Sequence, residues 1–234
     1  MDRYQRTTQL VPAAAAVAPL SFAAIVTFQW EDLPPSIVTC LAAAGFHLVI
    51  MRLIRDRGNK VQDRLWQQWG GHPTALRLRW SSATDQSAHA DLHRRVQAMT
   101  GTKLPKAAVE RSDSAQADAT YERAVARLRE MTRDRTRYHR VFSELLEYST
   151  ARNLLGVKPW GLTISVSVLL LASGAAVVNV LGRADFSWLP VILSGAAALA
   201  ISALWIVIIT PAYVKRPATR YAEALLNAAA EPTD

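Results

Sequence analysis

His89 and His93 stand four residues apart in HADLH, one helical turn, the spacing at which two imidazoles share a metal ion. A metal site needs a third ligand, and only His139 and a few carboxylates are to hand, so a solvated helix face is expected and no metal is assigned. His47 lies in an apolar stretch, where an ionisable group raises a functional question, and is a candidate intramembrane polar site. Arg129, Arg133, Arg137 and Arg140 recur at i, i+4, i+8 and i+11 and would form a basic stripe on one continuous helix. The guanidinium fork suits phosphate-bearing ligands. Arg77 and Arg79 beside Trp80 make a second basic-aromatic spot, and Trp66 and Trp69 belong to the same candidate surface for a ligand or protein partner. The competing expectation is a juxtamembrane surface drawn to anionic lipid and paired locally, as Arg140 with Glu144.

No Walker loop, dinucleotide-binding glycine motif, nucleophile elbow or paired-carboxylate motif occurs. The expectation is therefore no catalytic residue, no cofactor and no enzymatic activity. A lipid-modifying enzyme built on His47, His139 and Glu144 at the inner interface is the enzymatic alternative.

The elements that would position these residues follow from hydropathy. A membrane helix needs about 20 mainly apolar residues. Leu10–Gln29, Ser36–Leu53, Gly161–Leu181 and Leu189–Thr210 meet that requirement, the last two without any charge. Short turns, Trp30–Pro35 and Gly182–Trp188, join them in pairs. The predicted fold is an all-α membrane protein with four transmembrane helices in two hairpins flanking a mostly helical cytoplasmic domain. Residues 1–54 form the first hairpin, 55–159 the basic domain, 160–214 the second hairpin and 215–234 a cytoplasmic tail. Ser173-Gly174 and Ser194-Gly195, from a repeated SGAA, offer small surfaces for helix packing or an oligomer interface. Asn179 is read as glue between helices.

Charge supports the orientation. Arg52 through Lys158 holds 21 basic and 12 acidic residues, and the rest of the chain 6 and 7, so the net +8 comes from the centre. Basic flanks belong in the cytoplasm, which puts both termini inside. Trp30 and Trp188 outside, with Trp160 and Tyr213 inside, suit interfacial belts. The lone cysteine, Cys40, excludes an intramolecular disulfide. No ionisable Asp, Glu or Lys falls inside the four segments, which argues against an ion-coupled carrier.

Within the central domain the second span is expected to run on to Trp69, where Gly70-Gly71 stops it. ALRLRW alternates like a strand, although a helix starting at Pro73 fits equally. Ala88–Met99 suits a helix ended by Gly101, and Lys103–Ser114 a connector. Ala115–Met131 and Thr136–Leu155 carry apolar residues at helical spacing, and Gly156 and Pro159 are expected to break the chain before the third span.

WQQWGGHPTALRLR, MTGTKLP and ARNLLGVKPWG resemble a set of uncharacterised bacterial membrane proteins with WGG-x-PT and RNL-x-G-x-KP segments, a resemblance that implies four spans and transfers no activity. In architecture alone, the layout is similar to small membrane effectors of bacterial antiviral systems. The resulting expectation is a non-enzymatic, oligomeric bacterial inner-membrane protein whose cytoplasmic domain receives a signal or partner and which alters permeability. A scaffold recruiting a soluble partner through Trp66–Trp80 is the alternative. Expected partners are the lipid bilayer, further copies of the chain, and a cytoplasmic protein or anionic nucleotide; specific nucleic-acid binding is not expected.

Overall fold

The computed structural model describes residues 6–27 and 37–230, with side chains at 7–27 and 51–230. The fold is all-α. A π-helical turn, Arg6–Leu10, leads into α1 (Val11–Thr27), then α2 (Ile37–Trp69), α3 (Pro73–Leu76), a 3-10 turn (Trp80–Ser82), α4 (Gln86–Thr100), α5 (Ala107–Ser112), α6 (Ser114–Met131), α7 (His139–Val180), α8 (Trp188–Val207) and α9 (Pro211–Ala228). The chain divides into unit 1, Met1–Val61 with Ser149–Tyr213, and unit 2, Gln62–Tyr148 with Val214–Asp234.

The expectation of four spans in two hairpins does not hold. Among the described residues three helices are long and apolar enough to cross a bilayer: Thr7–Thr27, His139–Val180 and Trp188–Val207. The expected second span, Ser36–Leu53, begins outside the described residues. The Trp30–Pro35 turn and the side chains of Cys40 and His47 also lie outside them. The element found there is a 33-residue helix that carries seven charged side chains between Arg52 and Arg64. All of them but Arg52 lie beyond Leu53, so α2 runs on past the apolar stretch as a charged helix. The architecture is three long apolar helices with a large helical domain.

Unit 1 is held by small residues that let backbones approach. Pro12, Ala16 and Pro19 form the buried face of α1, which packs on α8. Ser194, Ala198, Ser202 and Trp205 form the buried stripe of α8. A shared cluster joins Ala16, Ile54, Leu154, Val157 and Trp205. Serine hydroxyls in these helices bond back to their own backbone, Ser165 to the Gly161 carbonyl (2.7 Å) and Ser202 to that of Ala198 (2.8 Å), so they enter apolar surroundings satisfied. Outward-facing residues are strongly apolar, with Leu171 73% and Val180 75% exposed. Exposure on that scale suits hydrocarbon, not water.

Gly156 and Pro159 do not break α7, contrary to the sequence expectation. Gly156 is a crossing point: a Cβ there would sit 2.8 Å from the Gly58 nitrogen and 3.0 Å from the Arg57 carbonyl carbon. Lys158 donates to the carbonyls of Ile209 (2.8 Å) and Ile206 (3.3 Å), placing a cation on the carbonyl end of α8. Asn153 donates to the Thr8 carbonyl at 2.7 Å, within the wide turn that precedes α1. The RNL-x-G-x-KP segment is thus packing machinery.

Unit 2 takes in the C-terminal segment that the sequence suggested was a tail. In α9, Val214, Ala218, Tyr221, Ala222 and Leu225 recur at helical spacing and are buried. Each large apolar side chain so covered contributes about 1.5–3 kcal/mol. Arg220 pairs with Glu144 (3.0 Å) and Glu147, and Arg77 with Glu223. The expected Arg140–Glu144 pair is therefore replaced by one 76 residues apart. Trp69-Gly70-Gly71 ends α2, and both glycines take positive φ (81° and 141°), a region that disfavours side chains with a Cβ. His72 then caps α3, its Nδ1 accepting the Thr74 N–H at 3.1 Å, with Pro73 at the first helical position. ALRLRW is hence the end of a short helix and a turn, not a strand.

Candidate functional site

Two side chains of α4 converge on the backbone carbonyl of Leu78. Asp85 starts α4 by accepting the Ser87 (2.8 Å) and Ala88 (3.2 Å) N–H groups, and this fixes the register that turns His89 and His93 inward. Their Nε2 atoms lie 3.1 and 2.8 Å from the Leu78 carbonyl oxygen. A carbonyl only accepts, so both Nε2 atoms donate to it. The solvated face expected for HADLH is therefore corrected: both rings are buried, and the partner that holds them lies in a turn the local pattern does not reveal. Burial pushes the His93 pKa down, with the His89 charge adding to it, against the opposing Leu78 carbonyl and Glu110. Among the described residues no group of three potential metal ligands occurs.

Trp80 covers this pair. Its ring centroid lies 5.0 Å from that of His89 and 4.7 Å from that of His93, and its indole N–H donates to the Pro105 carbonyl at 2.9 Å. The turn carrying Trp80 is pinned by Glu110 on α5. The Glu110 carboxylate accepts from Trp80 N (2.8 Å), Ser81 N (3.0 Å) and the Tyr121 hydroxyl (2.7 Å). Burial alone would raise the Glu110 pKa; the Tyr121 hydroxyl and the two backbone N–H groups outweigh it and hold it below the usual value. The Tyr121 hydroxyl is pushed up by burial and by Glu110. Arg79 closes the far side with a two-pronged bond to Asp118, 2.7 Å at each oxygen, and a third bond to the Gly70 carbonyl (3.2 Å).

Beside this network runs a groove of about 560 Å³ lined by Leu76, Arg77, Ser82–Asp85, Ala88, His89, Leu92, Arg95, Glu223, Leu226 and Asn227. It combines leucine side chains with guanidinium, carboxylate, amide and imidazole groups, a composition suited to a small polar ligand with an apolar body.

The structure distributes the sequence-predicted residues differently. Arg77, Arg79 and Trp80 come together, but their polar groups are bonded inside the domain. Trp66 donates to the Tyr148 hydroxyl at 3.2 Å and packs on His72 (4.4 Å between centroids), while Trp69 is half-buried. The arginine stripe is broken, because α6 stops at Met131. Asp134 accepts the N–H groups of Thr136 and Arg137 and re-aims the chain before α7. Arg129 stays on α6, Arg133 and Arg137 fall in the connection, and Arg140 begins α7. His139 is exposed, and Glu144 is engaged by Arg220.

In unit 1 the two SGAA patches differ: Ser194 is buried and a Cβ on Gly195 would touch Ala172 (3.6 Å), whereas Ser173 is exposed and Gly174 has open space. Asn179 binds the Phe186 backbone through both amide atoms (2.7 and 2.9 Å), so it fastens the α7–α8 turn. Glu110, Tyr121 and Asp118 escaped sequence analysis because their partners are distant or, for Glu110, because it sits in a segment read as a connector. No protein family, curated protein or solved structure matches the chain.

Proposed function

We propose that this is a non-enzymatic membrane protein whose helical domain receives a signal or partner in the groove beside His89. The observation that carries the reading is the groove itself, with Arg95, Asn227, Thr84 and the Arg77–Glu223 pair around Leu76, Leu92 and Leu226. The buried network behind it supports a binding role, since His93, Glu110, Tyr121 and Arg79 are engaged in holding one another and the Trp80 turn. In unit 1 the strongly apolar exterior of α7 and α8 supports membrane insertion. The basic groups Arg52, Arg55, Arg57, Lys60 and Lys158 support a cytoplasmic placement for that end. We assign self-association to the exposed Ser173-Gly174 surface, and an altered permeability to the resulting assembly.

Groove binding is tested on the full chain in detergent by thermal shift with a panel of nucleotides and organic anions, comparing the wild type with Ala88→Trp, which fills the groove. Compounds should raise the wild-type melting temperature and leave the variant unmoved. Identical responses would dismiss the groove as the receiving site. Planar-bilayer conductance with and without the active compounds tests the output, and its absence in both would dismiss permeability.

A further inference from the structure

Unit 1 is electrically lopsided. Among its described side chains, α1 carries no charge and the α7–α8 turn carries one cation, Arg183, with one acid, Asp185. The remaining cations, Arg52, Arg55, Arg57, Lys60, Arg152 and Lys158, are confined to two helical stretches that meet at the Gly58–Gly156 crossing, with Asp56 the sole acid there. Met51, Ile54 and Gly58 form the buried face of α2, leaving Leu53, Arg57 and Lys60 on an exposed side at i, i+4 and i+7. The Arg57 guanidinium lies 4.4 Å from the Trp160 ring centroid. Trp160 opens the apolar run of α7, and Leu53, 44% exposed, precedes Arg57 by one turn on the apolar side of α2.

An exposed guanidinium on an indole face, a second cation one turn onward and an apolar shelf below reproduce, in order, what an anionic lipid presents: phosphate, interfacial glycerol and acyl chain. We propose that Arg57 and Lys60 hold the phosphate of an anionic membrane lipid over Trp160, with its acyl chains lying along Leu53. A free phosphate would use the cations and leave the indole and the leucine without a role, so the lipid is the occupant assigned. The proposal rests on the insertion of unit 1 in a bilayer and is independent of the groove in unit 2.

The test uses the full chain in nanodiscs of phosphatidylcholine with and without added phosphatidylglycerol. Lipid retained after extraction is read by native mass spectrometry. Failure to enter either nanodisc would break the bilayer reading instead, which separates the two failures. Wild type should retain phosphatidylglycerol over phosphatidylcholine. Arg57→Gln/Lys60→Gln should lower that retention by roughly 30-fold, about fivefold per cation, whereas Arg183→Gln should leave it unchanged. Equal retention of the two lipids by wild type, or of phosphatidylglycerol by wild type and double variant, overturns the proposal. Displacement of the lipid by millimolar inorganic phosphate overturns its assignment to lipid. If the double variant does not fold, Lys60→Gln alone still reads the expected fivefold loss, and wild-type retention there overturns it equally.

Discussion

Replacing Glu110 by Gln is the sharpest probe of the buried network, because it keeps the shape and removes one acceptor. The carboxylate takes three donors: Ser81 N on one oxygen, and Trp80 N with the Tyr121 hydroxyl on the other. The amide of Gln offers one oxygen. Its best orientation keeps that oxygen on Trp80 and Tyr121 and turns NH₂ toward the Ser81 N–H, leaving that donor unmatched. An unmatched buried donor costs about 1–3 kcal/mol, and each of the two surviving bonds loses about 1 kcal/mol of charge assistance. Ser81 is exposed, so water reaches its N–H and the total settles at about 2–3 kcal/mol. Tyr121→Phe, which leaves Glu110 two N–H partners, should cost about 1 kcal/mol, and less still when Glu110→Gln is already in place. Hydrogen exchange of the Trp80 and Ser81 amides in detergent micelles reads the effect locally. The sign with pH is also fixed. The folded Glu110 pKa is depressed, so its contribution is present above the unfolded value of 4.5 and is lost as pH falls through the folded one. Glu110→Gln should lack that loss. An exchange rate within a factor of two of wild type, with the acid dependence intact, would refute the network as a stabilising unit.

Other outcomes follow from single contacts. Gly156→Ala meets only backbone, at 2.8–3.1 Å, and should destabilise unit 1 by about 1–3 kcal/mol; Gly174→Ala meets nothing within 4 Å and should be neutral or gain up to about 1 kcal/mol, both read as melting temperature in detergent. His72 is held to about 4 by burial and by the Arg129 charge, below its ordinary 6.5. Its contribution is complete above pH 6.5 and is lost as pH falls from 6.5 to about 4, up to about 3 kcal/mol, and a pH titration of unfolding should flatten in that window in His72→Asn. Arg79→Lys removes the two-pronged bond to Asp118 from a site about one-third exposed and should cost about 1 kcal/mol in a denaturant titration, with Arg79→Met costing more.

The parts of this fold that were legible in sequence are those whose chemistry is local. Gly70-Gly71 and the Gly101 stop of α4 each act within a few residues of where they stand. Hydropathy likewise revealed the α7–α8 pair. Misreadings came from residues whose meaning depends on a distant neighbour. Gly156 looked like a stop and is a contact with Gly58, 98 residues earlier. His89 and His93 looked solvated because the carbonyl that binds them belongs to Leu78, in the turn before Trp80. Residues 215–234 read as a tail, whereas Tyr221 and Leu225 are buried in a helix of unit 2. The arginine stripe assumed one helix where Asp134 makes two.

The inclusion of α9 in unit 2 bears on how the protein is made. Translation delivers Gln62–Tyr148 first, then the apolar α7–α8 pair, and only afterwards Val214–Asp234. At 5–20 residues per second the intervening 65 residues occupy roughly 3–13 s. Throughout that interval the surfaces that will cover Val214, Tyr221 and Leu225, and the carboxylates awaiting Arg220, stand open on a ribosome-bound intermediate. A chain stalled or clipped before α9 would therefore present chaperones and proteases with an unfinished domain whose core still lacks its last helix.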